Sequence, residues 1–283
     1  MSTSFLAILN KAGIACASDS DHTVYVLAKD EPLALAVNPS SPIPWDSIVN
    51  DYILKGTISS HSSLEEYTSN FSQHLASYPT CKEWKDLPRQ LSKVIFLGYG
   101  KDDIFPNMYQ AYANVNEETA KLELRDTKSF SVSNGQEASY CGIGNFEYIR
   151  TLLYGVTSKT ADFMEKKQIE TFEIYKSRVR DKFKGTEYET LVNKQIEKYD
   201  VKSAVGEAIK SATGKAFRAT QRGIDSFSVE DMVLTAETLV NANVRLNHLL
   251  RHEGKGLLGQ TKEIAVITRT EGVTWIKHSL FAI

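Results

Sequence analysis

Cysteine is scarce in this chain. Cys16, Cys81 and Cys141 are an odd number, far apart, and form no CxxC pair. That excludes a disulfide framework and a cysteine-built metal or redox motif, and it implies reduced thiols and a cytoplasmic setting. Long apolar runs are missing as well. None approaches the roughly 20 residues needed to span a bilayer, so no membrane partner is expected. The early run Phe5-Leu6-Ala7-Ile8-Leu9 is short and has no basic leader, so no signal peptide is expected either. Charge of one sign is also absent. The 33 Lys and Arg residues against 35 Asp and Glu leave a formal charge of −2, which gives no global reason to bind nucleic acid.

Motifs for phosphate and metal are equally thin. Gly98-Tyr99-Gly100-Lys101 and Gly214-Lys215-Ala216 lack the glycine spacing of a phosphate loop and a Ser or Thr after the lysine. The six histidines are scattered. His248 and His252 are four apart near a helix end, with no third ligand in view, so favourable placement at the helix C-terminus is the simpler account. No metal and no cofactor are expected.

What is present is enough for a large core: 283 residues, 42% hydrophobic and 24% charged. Short apolar runs at 5–9, 14–18, 23–28 and 32–37 are split by turn residues and read as a β-meander. The first two form a hairpin about Asn10-Lys11-Ala12-Gly13, with hydroxyl residues at its tip and a carboxylate, Asp19, after its second strand. Trp45, Ile48, Val49 and Tyr52 share one face of a helix over 46–54. Ser62 or Ser63 caps a second helix to about Tyr78. Strands are predicted at 93–98, 108–115, 121–124 and 130–132, then a helix over 145–154. Residues 158–222 are polar, rich in Lys and Glu, and helical in pattern; they read as a projecting helical insertion or as a solvated helix pair. Ser228-Val229-Glu230-Asp231 opens another helix, and strands at 263–268 and 273–278 close the chain. Between Ala208 and Ile224 four basic residues, Lys210, Lys215, Arg218 and Arg222, occur with Phe217 among them and no acidic one; this reads as a solvated helix or loop, with contact to phosphates as the alternative.

The segment Ile8-Leu9-Asn10-Lys11-Ala12-Gly13-Ile14-Ala15-Cys16-Ala17-Ser18-Asp19-Ser20 resembles the N-terminal hairpin of proteasome β-type subunits and their bacterial relatives, which are N-terminal nucleophile hydrolases. Pro44-Trp45-Asp46 is similar to the same family. So are Phe96-Leu97-Gly98-Tyr99-Gly100 with Ile104-Phe105-Pro106, and Ile264-Ala265-Val266-Ile267 with Glu271-Gly272-Val273-Thr274-Trp275-Ile276-Lys277. The resemblance covers most of the chain outside roughly 158–225. It implies an α+β fold, a four-layer αββα sandwich carrying the helical insertion, as a single domain over 1–283. It also implies a homo-oligomer, or a hetero-oligomer with a related subunit, and a protein or peptide as possible substrate.

The resemblance also carries a catalytic pattern. In that family a freed threonine hydroxyl attacks the scissile carbonyl, and its own α-amine takes the proton. A lysine tunes that amine, an aspartate orients the lysine, and backbone N–H groups beside a glycine hold the oxyanion. Aligned on Gly13 and Asp19, Thr3 falls at the nucleophile and Asp19 at the aspartate. Thr23 falls at the lysine and Pro39 at the oxyanion glycine. Proline has no N–H, and removing one oxyanion donor costs about 3–4 kcal/mol in a hydrolase. Lys29 shares a strand face with Thr23 but lies about 20 Å further along, at ~3.3 Å per residue. Removal of Met1 exposes Ser2, not Thr3.

The expectation is therefore a catalytically degenerate, proteasome β-subunit-like structural or regulatory subunit. The alternatives are an active N-terminal peptidase or amidohydrolase using Thr3 or Ser2, and a partner-binding module acting through the insertion.

Overall fold

Alternating and continuous apolar runs pair into two antiparallel sheets. The structure, a computed structural model, describes residues 4–21, 23–28, 31–55, 63–78, 92–116, 118–119, 121–132, 138–144, 147–154, 158–198, 200–251 and 260–278. It divides into two compact units, Met1–Ile149 with Gln221–Ile283, and Arg150–Thr220.

The first unit opens with β1 (Ser4–Asn10), β2 (Gly13–Ser18), β3 (Val24–Val26) and β4 (Leu33–Val37). Helices α1 (Trp45–Leu54) and α2 (Leu64–Ser77) follow, then β5 (Ser92–Gly98), β6 (Asn107–Val115), β7 (Leu122–Ser131) and β8 (Ala138–Gly144). After α3 (Glu147–Tyr154) come α4 (Ser158–Phe183), α5 (Glu189–Lys198), α6 (Val201–Asp225) and α7 (Val229–Arg251). The chain returns as β9 (Glu263–Thr268) and β10 (Gly272–Lys277). One sheet runs β10-β9-β2-β1-β8 and the other β3-β4-β5-β6-β7.

Both sheets are apolar on both faces at their centres. Phe5, Ala7, Leu9, Ile14, Cys16, Ala265 and Ile267 of the first meet Ala34, Ala36, Ile95, Leu97 and Met108 of the second in one buried cluster. The alternate residues of β4 and β5, Leu33, Leu35, Val37, Val94 and Phe96, turn to α1 and α2. There Phe71 of α2 stands edge-on to Tyr52, centroids 5.0 Å apart, and to Phe96, 5.4 Å apart. On the first sheet, the alternate residues Leu6, Ile8, Ala15 and Ala17 are buried too, and α7 packs against β1, β2 and β9.

Helix α2 starts where its cap is satisfied: the Ser63 hydroxyl accepts the Glu66 N–H at 3.3 Å. Of the two serines that could cap it, the structure uses Ser63. Gly98 ends β5 opposite the start of β4 with φ +144°, and a Cβ there would stand 1.9 Å from the Pro32 carbonyl oxygen, so no side chain fits.

Three features differ from expectation. The first four strands are not one meander but two hairpins in different sheets, because β2 takes β9 as its second neighbour and β3 pairs only with β4 among the described strands. The pieces predicted at 121–124 and 130–132 are one continuous strand, β7, because a bulge with Asp126 at φ 52° carries its polar middle past β6. Strand β8 was not anticipated from its sequence, yet it pairs with all of β1, from Ser4↔Gly144 to Asn10↔Ala138.

The second unit contains α4, α5 and most of α6, and α4 packs on α5. Among its described residues only Val201 and Val205 are buried apolar side chains, while Phe163, Ile174, Tyr175 and Leu191 are more than half exposed. No described helix is long and apolar enough to cross a membrane.

Phe71→Ala is expected to cost about 3–5 kcal/mol, because it removes the ring wedged between Tyr52 and Phe96 and leaves a cavity. Urea unfolding measures this, and a loss below about 1 kcal/mol would contradict the packing.

Candidate functional site

The site expected from sequence lies at the open end of the β1–β2 hairpin. Six cross-strand pairs, from Phe5↔Ser18 to Asn10↔Gly13, fix its register. At the turn end, the Asn10 side chain accepts the Ala12 N–H at 2.8 Å and donates to the Ile224 and Phe227 carbonyls, each at 2.9 Å. A slip of one residue would break all three bonds and turn every side chain to the opposite face.

At the open end, Asp19 and Ser4 grip each other. The Asp19 carboxylate accepts the Ser4 N–H at 2.8 Å, and the Ser4 carbonyl accepts the Asp19 N–H at 3.1 Å. The same carboxylate oxygen accepts the Ser20 hydroxyl at 3.1 Å. From α7, the buried Asn243 amide donates to the Ser4 hydroxyl at 2.8 Å. Burial raises the Asp19 pKa above the ordinary carboxylate value, and the bonds from Ser4 and Ser20 oppose that rise. No lysine or arginine bonds to Asp19 among the described residues. The two nucleophile candidates, Thr3 and Ser2, lie outside the described residues, as does Lys29.

Thr23, matched to the family's lysine, is fully buried. Its hydroxyl accepts from the Ser18 hydroxyl at 2.9 Å and donates to the Ser20 carbonyl at 3.1 Å. Its carbonyl accepts the Val37 N–H at 2.9 Å, which ties it to β4. Its amide and that of Val24 both donate to one oxygen of Glu263, each at 3.2 Å. Glu263 begins β9 and is 1% exposed. Its other oxygen is 3.6 Å from His278 Nδ1, and the His278 ring stacks on Trp275 at 4.3 Å. A buried carboxylate held by two backbone amides therefore stands behind Thr23, where the resemblance implies an ammonium.

Pro39 follows β4 in the turn Asn38–Ser41, in which the Ser41 N–H reaches the Asn38 carbonyl at 3.1 Å and the Ser40 N–H reaches the Asn38 side chain at 3.1 Å. Residue 39 thus supplies no donor.

The structure brings Asp19, Ser18, Ser20 and Thr23 together around the hairpin end and adds two residues that sequence reasoning missed. Asn243 falls at helical spacing from Met232, Ala236 and Val240, so a polar residue on a buried stripe was its signal. Glu263 had a weaker signal, an acid opening an apolar strand. Cys16, on β2, is buried, and desolvation raises its thiol pKa to about 12. Burial raises Cys141 too. Among the described residues no group of three or more His, Cys, Asp or Glu could hold a metal ion.

Asp19→Asn keeps an acceptor for Ser4 while removing a charge that burial disfavours. With a folded pKa above the unfolded one, ionised Asp19 opposes folding, so its contribution falls as pH rises through that window and is constant above it. The Asn variant is therefore expected to gain on the parent protein from about pH 4 upward in urea unfolding; the opposite trend would contradict the site. Asp19→Ala strands the Ser4 N–H and is expected to cost about 1–3 kcal/mol. In a Cys81→Ser background, Cys16 and Cys141 are expected to stay unmodified by a disulfide reagent at about pH 8 until the protein is unfolded.

No family model matches the sequence, and no curated protein matches it. Among solved structures, the chain is similar to Anbu (ancestral beta-subunit) from Yersinia bercovieri, with 11% identity over 98% of this chain and 87% of that one, and a TM-score of 0.43.

Proposed function

We propose that the chain is a proteasome β-subunit-like protein that has lost catalysis and acts as a structural or regulatory subunit of an oligomeric assembly. In this reading its two sheets and flanking helices form the four-layer αββα sandwich of that family. One observation carries it: at the position matched to the lysine, a buried Thr23 is held from behind by the Glu263 carboxylate. An ammonium at that place favours the neutral form of a nearby amine and stabilises developing negative charge. A hydroxyl in a bond network, backed by a carboxylate, does neither.

Two further observations agree. Asp19 bonds to the chain at Ser4 and Ser20 and, among the described residues, to no lysine or arginine. Pro39 has no N–H for an oxyanion.

Retention of Asp19 beside Ser4 favours a second reading, an active peptidase or amidohydrolase using Thr3 or Ser2 with another base. The exposed apolar side chains of α4 and α5 favour a third, partner binding through residues 158–222. Deleting that segment and measuring partner capture separates it from the first.

Intact mass, N-terminal sequencing and incubation with an epoxyketone- or lactone-type probe test catalysis. The expected result is no cleavage before Thr3 and no adduct. An adduct on Thr3 or Ser2 would sink the degenerate reading.

A further inference from the structure

A shallow apolar groove of about 290 Å³ lies in the first unit, between α7 and strands β9 and β10. Val229, Val233, Leu234 and Ile276 supply its apolar lining, and its charged lining groups are Glu230, Glu237 and Glu271. Leu234 is 64% exposed and Ile276 56%. Single exposed apolar side chains are ordinary, but two together in a groove rimmed by one sign of charge are a recognition pattern.

On α6 the opposite pattern occurs. Lys215, Arg218 and Arg222 are exposed and recur at helical spacing, so they share one face. Between them stands the exposed Ala219, and Ala212 and Gly223 are also exposed nearby. None of these three basic residues, nor Glu230, Glu237 or Glu271, makes an ion pair among the described residues.

The two surfaces match in spacing as well as sign. On α7 the order is Glu230, then Leu234 four residues on, then Glu237 three further. On α6 it is Lys215, then Ala219 four residues on, then Arg222 three further. Each outer pair is seven residues apart, about 10 Å along a helix. A large apolar side chain between two acids thus faces a small side chain between two bases.

We propose that a second copy of this chain occupies the groove, seating the Lys215–Ala219–Arg222 face of its α6 along the Glu230–Leu234–Glu237 ridge. Leu234 packs over Ala219, and the bases pair with the acids on either side. Because one chain carries both surfaces, each copy offers what the other accepts. Like charges would meet if two α6 faces or two grooves came together, so the pattern also rejects those pairings. This inference rests on the reading of the protein as an assembly subunit and names the surface through which it assembles.

Sedimentation velocity of the full chain between about 1 and 200 µM tests it. The parent protein is expected to self-associate, and more weakly at about 0.5 M salt than at 0.05 M. Lys215→Glu with Arg222→Glu, and separately Glu230→Lys with Glu237→Lys, are each expected to raise the dissociation constant at least about tenfold. An equimolar mixture of the two variants is expected to recover parental association, since acid again meets base at both contacts. Circular dichroism and melting confirm the fold; if either double variant melts early, Lys215→Glu and Glu271→Lys serve instead. A monomeric parent, variants that associate like the parent, or a mixture that fails to recover would each overturn the proposal. Probe labelling at Thr3 bears on catalysis alone, so a protein that labels and still assembles through these surfaces loses the degenerate reading and keeps this one.

Discussion

Every residue of β1 is buried, and it pairs on both edges. Few strands leave a chain so little freedom. One face looks into the cluster between the sheets and the other toward α7, so its residues are apolar without alternation. The polar atoms admitted there must be satisfied locally. Asn10 at one end and Ser4 at the other meet that demand through α7 and its approach, at Ile224, Phe227 and Asn243. The hairpin end is rigid because its strand is trapped, and Asp19 inherits its position from that.

The same confinement sets the electrostatics. Ser18, Ser20 and Thr23 form a closed ring of hydroxyl and backbone bonds, and Glu263 enters from β9 to take two amides of the next strand. Two peptide N–H groups on one carboxylate oxygen fix Glu263 in place from the backbone side. The polarity of the region is therefore carried by the backbone, with one acid from a distant strand closing the crossing from β2 to β3.

Much of this was legible in the residues. The first hairpin, α1, α2 and the closing strands announced themselves by period and turn chemistry. Strand β8 did not: Ala138-Ser139-Tyr140-Cys141-Gly142-Ile143-Gly144 is short and rich in small residues, and it becomes a strand because β1 needs an edge partner. The middle of β7, Arg125-Asp126-Thr127-Lys128, carries no strand signal and is drawn into the strand by pairing with β6. Asp19 was legible as a position but not as a partner of Ser4, because that bond joins residues fifteen apart whose meeting depends on the hairpin register. Glu263 reaches Thr23 across 240 residues, a separation that no local pattern encodes.

The bulges at the sheet margins carry a last consequence. Strand β7 bends at Asp126, and β10 is irregular between Trp275 and Lys277. Strand β3, the remaining margin of the second sheet, is only three residues long. None of the three offers a straight row of peptide groups on which a foreign strand could zip. At these three margins the folded protein is thereby steered away from cross-β pairing.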